Sequence, residues 1–244
     1  MCDSCGCTLP HAEHHHRSPA EKKLVDIHAS LLAANNEQAE KNRHHFEQFG
    51  AVAINLISGP GSGKTTLLEH TIEQMAGEFR IGEIEGDIET ERDADRIRAK
   101  GVPVVQLTTG GACHLDARLV HKGFHQLVEE SGADKFDILF IENVGNLVCP
   151  ATFDLGEHKR VVLVSVPEGS DKPAKYPSAF YNSQLFLITK TDLLPHFDFS
   201  IDEAKREALR LNPDLDVMEI AAPHKTGLEK WLQYLRTLVT AGNG

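Results

Sequence analysis

No run of about 18 apolar residues occurs in this 244-residue chain, so it offers no helix able to cross a bilayer. Its N-terminus lacks the apolar core of a secretory signal and is instead polar and rich in Cys and His. Basic residues are in deficit: 25 Lys and Arg stand against 36 Asp and Glu, a formal net charge of −11. Nucleic-acid and anionic-membrane partners require a basic face. No basic patch longer than a few residues exists, so both partner classes are set aside and a cytoplasmic location is expected. Also missing is the even, spaced set of cysteines typical of a secreted disulfide framework. There are 5 Cys, three of them crowded at Cys2, Cys5 and Cys7, a pattern closer to metal binding.

What is present is enough for one large domain and an appendage. Hydrophobic residues make up 41% and charged residues 25%, an ordinary balance for a sizeable core. Residues 1–20 contain almost nothing apolar and read as a flexible Cys/His-rich metal-binding tail. Residues 21–50 read as a helical segment. Ser18, Pro19 and Glu21 form a helix start, and Leu24, Ile27, Leu31 and Leu32 follow at helical spacing. That helix is expected to fade near Asn35 and Asn36, with a second polar helical stretch running through Phe46 and Phe49. From residue 51 to 244, short β-branched runs alternate with helix-length segments: AVAINLIS, RIGEIEG, VPVVQLT, FDILFIE, RVVLVSV, QLFLITK and LDVMEIA. Strands buried on both faces and separated by crossover helices predict an α/β domain with a mostly parallel sheet flanked by helices.

The strongest chemical signal follows the first of these strands: Ser58-Gly59-Pro60-Gly61-Ser62-Gly63-Lys64-Thr65-Thr66. Glycines let successive backbone N–H groups turn toward phosphate oxygens, and the next helix adds its positive N-terminal dipole. Gly61, Ser62, Gly63 and Thr66 are thus candidate phosphate contacts. Lys64 would reach the terminal phosphates and the Thr65 hydroxyl would ligate Mg²⁺. The strict P-loop pattern has Gly where this chain has Ser58.

A later strand runs into Thr189-Lys190-Thr191-Asp192, which matches a guanine reader. A carboxylate such as Asp192 accepts from both guanine N–H donors, the Lys190 stem covers the base, and adenine offers no such donor pair. GTP and GDP are therefore the expected nucleotides. Two acids at strand ends, Asp87 and Glu142, suit Mg²⁺; the alternative is that each caps the following helix. Gly145 is placed to offer its N–H to the γ-phosphate and to move when that phosphate leaves. No attacking-water residue or arginine finger is evident, so slow intrinsic hydrolysis is expected.

Cys2, Cys5 and Cys7 can converge on one soft or borderline metal, with His11, His14, His15 and His16 beside them. A second set is Cys113, His114 and Cys149. If their two loops meet, three ligands stand beside the nucleotide switch, or a dimer shares them across its axis. The alternative is two buried structural cysteines and a surface histidine.

With these motifs in hand, the chain resembles the HypB family of GTPases that help insert nickel into nickel–iron hydrogenase. The resemblance runs nearly end to end: Met1-Cys2-x-x-Cys5-Gly6-Cys7, Pro60 to Thr65, Glu85-Gly86-Asp87, Thr109 to Ala117, Glu142 to Pro150, and Thr189 to Asp192. It implies a P-loop NTPase of the SIMIBI class that hydrolyses GTP with Mg²⁺ and forms a homodimer in the GTP state. It also implies a tight nickel site in the tail and a weaker Ni²⁺ or Zn²⁺ site at Cys113, His114 and Cys149. The implied partners are the HypA metallochaperone and the hydrogenase large-subunit precursor. Two departures stand out. Arg118 occupies a position where some relatives have a second metal-binding His, and Ala221 to Gly227 replaces a Ser-Ala-rich base-contacting segment. Outside the family, a nickel storage or sensor protein with nucleotide binding and a P-loop small-molecule kinase are the rival readings. An intact Lys64-Thr65 pair argues against vestigial nucleotide binding, and the Thr189–Asp192 reader argues against a kinase.

Overall fold

All seven apolar runs form strands, because β-branched and aliphatic residues without breaks suit a sheet covered on both faces. The computed structural model describes residues 19–87 and 92–242. In chain order the elements are α1 (Pro19–Gln48), β1 (Val52–Ser58), α2 (Lys64–Met75), β2 (Ile81–Asp87), α3 (Arg92–Arg98), β3 (Val104–Thr108), α4 (Ala117–Ser131) and β4 (Ile138–Gly145). They continue as β5 (Lys159–Ser165), α5 (Lys172–Lys175), α6 (Pro177–Tyr181), β6 (Leu185–Thr189), α7 (Ile201–Leu211), β7 (Asp216–Ile220) and α8 (Leu228–Gly242). The sheet order is β3-β2-β4-β1-β5-β6-β7, and every pairing is parallel. β1 thus lies at the centre, where the chain changes direction across the sheet, and its carboxyl end is the expected place for a ligand.

The two faces of the sheet carry different layers. Ile54, Leu56 and Phe140 pack with Leu68 of α2, Ile97 of α3 and Trp231 of α8 on one face. Ala53, Leu139 and Ile141 pack with Phe46 of α1 and Phe124 of α4 on the other. Farther along that second face, Val162 and Phe186 meet Phe180 of α6 and Ala204 of α7. Local signals fix the helix ends. Asp116 caps α4 by accepting from Leu119 N at 2.7 Å, and Gly132 closes it with a left-handed φ of 61°.

The N-terminal region differs from the expectation of two helical stretches: α1 is a single helix that continues past Asn35 and Asn36. Nothing in that stretch is a Gly or Pro, and its polar side chains bind loops rather than their own backbone. Asn35 Nδ2 donates to Asp154 O at 2.7 Å and its Oδ1 accepts from Ala117 N at 2.9 Å. The buried Asn42 donates from Nδ2 to both Ala117 O and Leu155 O, at 2.7 and 2.9 Å. Asn35, which resembles a helix break in sequence, and Asn42 are thus the fasteners of α1 to the domain. The cap Ser18 and the tail residues Cys2, Cys5, Cys7, His11, His14, His15 and His16 lie outside the described residues.

Candidate functional site

The loop after β1 turns on Gly61 and Gly63, both left-handed at φ 71° and 91°, and delivers the chain into α2. No side chain caps the start of α2, so its first N–H groups face the loop's concavity, the arrangement that favours an anion. Lys64 is buried along its length and its Nζ donates to Ser58 Oγ at 2.9 Å. Ser58 Oγ in turn donates to Gly59 O at 2.7 Å. The residue that departs from the strict P-loop pattern thus holds the loop's own lysine in place.

Thr65 Oγ1 donates to Glu142 Oε1 at 3.2 Å, and Lys64 Nζ stands 3.8 Å from the same oxygen. Burial pushes the Glu142 carboxyl up to about 7, against the pull of Lys64 and the Thr65 hydrogen bond. Its other oxygen, Oε2, is buried without a hydrogen-bond partner. An orphaned, burial-strained carboxylate beside a threonine hydroxyl is the donor set of a hard cation, and Mg²⁺ fits it. Asp87 ends β2, paired with Thr108 of β3, two residues beyond the Glu85–Glu142 pairing; its side chain lies outside the described part. Gly145 lies against the loop: a Cβ there would stand 3.1 Å from Pro60 Cα, and Ser58 pairs with both Gly145 and Asn146.

The Thr189–Asp192 segment is tied to the same loop. Thr189 Oγ1 donates to Ser62 O at 2.7 Å and Lys190 Nζ to Gly61 O at 2.7 Å. A cleft of about 270 Å³ opens between them, lined by Gly63, Thr66, Lys190, Asp192, Ala222 and Pro223 among others. Its walls combine an apolar slot with the Asp192 carboxylate, and the Ala222-Pro223 wall places the departing C-terminal segment against the slot. Gly227 holds that segment at φ 71°, where a Cβ would collide with Glu219 O.

Cys113, His114 and Cys149 come together: one ligand atom from each lies within 4.8 Å of the others. The two sulfurs are 2.7 Å apart, and Cys113 Sγ is 3.8 Å from His114 Nδ1. The contact with Cys113, aided by burial, raises the Cys149 thiol above its ordinary range. Burial lowers His114, whose ring stacks on Phe153 with centroids 4.1 Å apart, and so favours the neutral, ligating imidazole. Two thiols and one imidazole suit a borderline ion such as Ni²⁺ or Zn²⁺.

Three residues in this region escaped the sequence reading of roles. Asn143 Oδ1 accepts from Leu115 N at 3.1 Å and from Val144 N at 3.0 Å. Asn146 Nδ2 donates to Cys113 O at 3.3 Å while its Oδ1 accepts from Val148 N at 2.8 Å. Both therefore clamp the Cys113 loop to the segment after Glu142. Glu168 accepts from Ser62 Oγ at 2.6 Å and from Ser165 Oγ and N, each at 2.7 Å, bracing the P-loop from β5. Its signal was legible, since Ser165-Val166-Pro167-Glu168 is a capping box in S-x-x-E spacing.

A glycine loop aimed into a helix at the centre of a parallel sheet, with a lysine and threonine meeting an acid, defines a P-loop nucleotide-binding protein. The model of the CobW/HypB/UreG nucleotide-binding domain matches residues 53–219. A hydrogenase maturation factor HypB from Azotobacter chroococcum mcd 1 is 48% identical over 216 residues, spanning 88% of this chain and 70% of its own length. HypB from Escherichia coli K12 is 42% identical over 219 residues, spanning 89% of this chain and 74% of its own. The crystal structure of HypB from Helicobacter pylori in complex with nickel superposes with a TM-score of 0.81 at 38% identity, covering 85% of this chain and 96% of that one. The chain belongs to the HypB family of hydrogenase maturation factors. No helix among the described residues is long and apolar enough to cross a membrane.

Proposed function

We propose that this chain is a GTP-hydrolysing nickel metallochaperone in which one segment, Glu142 to Cys149, joins the nucleotide site to a metal site. The observation that carries this reading is the pair of asparagine clamps: Asn143 and Asn146 hold Leu115 N and Cys113 O from the strand end that also presents Glu142 and Gly145. Gly61, Ser62, Gly63, Lys64 and Thr66 would cradle the phosphates, and Lys190 and Asp192 would read guanine. Thr65, Glu142 and Asp87 would hold Mg²⁺, which when bound supplies charge neutralisation at the phosphate oxygens. Gly145 would give its N–H to the γ-phosphate and retreat after hydrolysis, with Lys64 holding the charge that develops on the phosphates. Cys113, His114 and Cys149 would carry Ni²⁺, or Zn²⁺ in its stead, with the tail thiols Cys2, Cys5 and Cys7 as a separate tight site.

Movement of Gly145 pulls on Asn146 and so on the Cys113 loop, which gives the metal site two geometries. A homodimer in the GTP state, the HypA metallochaperone and the hydrogenase large-subunit precursor are the partners this cycle calls for. A ligand shifts a conformation only by its unequal affinity for the two states, so nickel affinity must differ between GDP and GTP forms. By linkage, nickel then changes GTP affinity by the same factor. The experiment is a Ni²⁺ competition titration of the full chain in GDP and in a non-hydrolysable GTP analogue. Two site classes are expected, with the weaker one changing between nucleotides; identical curves would refute nucleotide-gated release.

A further inference from the structure

The helical layer opposite α2 holds a cluster that the nucleotide cycle does not use. His45 projects from α1, and His121 and His125 project from α4 at i, i+4 spacing, hence from one face of that helix. One ring nitrogen of each lies within 4.8 Å of the others. The rings are not a parallel stack: His45 lies over His121 at 5.2 Å and 28°, while His125 meets both edge-on, at 82° and 78°. The Nδ1 of His45 is buried without a hydrogen-bond partner.

The protonation of the central ring can be read from its surroundings. Both Nδ2 hydrogens of the buried Asn42 go to carbonyls, so its Oδ1 must be the atom facing His121. That oxygen lies 3.2 Å from His121 Nδ1 and also accepts from Gln38 Nε2 at 3.0 Å. An acceptor there places the proton on Nδ1 and leaves Nε2 as a lone pair, the outer-sphere device that orients metal-ligating histidines. Burial, helped by His125, His45 and Lys41, keeps His121 neutral. Lys41, whose charge acts on His121, is engaged by Glu37 at 2.7 Å.

We propose that His45, His121 and His125 form a second metal site in the G domain, a three-imidazole site for a borderline divalent ion such as Zn²⁺ or Ni²⁺, with a fourth position open to water. Metal–nitrogen bonds of about 2.0–2.1 Å in a tetrahedron set the nitrogens about 3.4 Å apart, so modest ring rotations close the set. It shares no ligand with the Cys113, His114 and Cys149 cluster and stands on α1 and α4 rather than on the Glu142–Cys149 segment, so its affinity is independent of nucleotide.

The test uses the full-length chain with Co²⁺ as a spectroscopic probe and Zn²⁺ to count equivalents. A nitrogen-only site gives ligand-field bands without the near-ultraviolet charge transfer of thiolates. The Cys113→Ser/Cys149→Ser protein should retain one equivalent of this kind, in GDP and in a GTP analogue alike. His121→Asn/His125→Gln should remove that equivalent while leaving the thiolate charge-transfer band and nucleotide binding intact. Should the double variant fold poorly, His125→Gln alone, at an exposed ring, should weaken the site at least about 10-fold. Unchanged stoichiometry in the histidine variants, or a nitrogen-only equivalent that follows the nucleotide, overturns the proposal. Neither result bears on nucleotide gating at the thiol cluster.

Discussion

The nucleotide-binding domain holds two three-ligand clusters on either side of the start of α4, and they are mounted differently. Cys113, His114 and Cys149 hang on loops, and their carrier is laced by Asn143 and Asn146 to the strand end that bears Glu142 and Gly145. His45, His121 and His125 stand on two long helices packed on the sheet and fastened by Asn42. A cluster carried by a hinged segment can change shape with the ligand that moves the hinge. One carried by two helices packed on the sheet holds its shape, even with His125 exposed at its rim, because close-packed layers do not deform continuously. Metal binding would thus be responsive in one place and constant in the other.

The largest effect that sharpens this contrast belongs to Lys64→Ala. It should lower GTP turnover at least about 100-fold, the scale of losing a preorganised charge at the phosphates. The nitrogen-only metal equivalent should stay the same, as read by phosphate release and Co²⁺ spectra on one sample. Next, Cys149→Ser should weaken nickel at the thiol cluster by about 10–100-fold and abolish its dependence on nucleotide. Persistence of that dependence in competition titrations would break the proposed wiring.

The two faces should also answer pH with opposite signs. Glu83 is fully buried under the α2 face, neither of its oxygens has a hydrogen-bond partner, and burial beside Glu142 and Glu85 raises its carboxyl well above the usual range. It is therefore protonated when folded, and its contribution, complete below the ordinary glutamate range, is lost as pH rises toward its folded value. The slope is about 1.4 kcal/mol per pH unit for one linked proton, and Glu83→Gln should flatten it in denaturant titrations across that range. His121 is lowered, so its share of stability is present above the ordinary histidine range and is lost as pH falls through it. His121→Asn should flatten that acid-side loss instead. The smallest effect is expected from Asn146→Ala. Removing one clamp should shrink the nucleotide-dependent ratio of nickel affinities by about 3–10-fold, the worth of one hydrogen bond, with little change in the GDP state.

Much of this was legible because it depends on local order. A P-loop is nine consecutive residues, Ser58 to Thr66, and buried parallel strands announce themselves as unbroken β-branched runs. The Cys113–Cys149 pairing was within reach because each cysteine closes a strand-end motif. What stayed hidden depends on distant partners. Asn35 reads as a helix-weakening residue until Asp154 O and Ala117 N are placed beside it, and Asn42 gains its role only from the carbonyls of Ala117 and Leu155. His121 and His125 show their helical spacing in the sequence, but nothing there brings in His45 from 76 residues away. Such long-range contacts follow from the sheet order, which periodicity alone does not supply.

One atom's absence at position 145 sets the mechanical tolerance of the machine. With a Cβ only 3.1 Å from Pro60 Cα, even a methyl group would press on the phosphate loop and force it or the strand to yield by a few tenths of an ångström. In the proposed cycle, glycine there would work as running clearance between two sliding parts. Alanine would be a shim that turns the joint into a fixed coupling, leaving a protein that still loads nucleotide and nickel but no longer exchanges the signal between them.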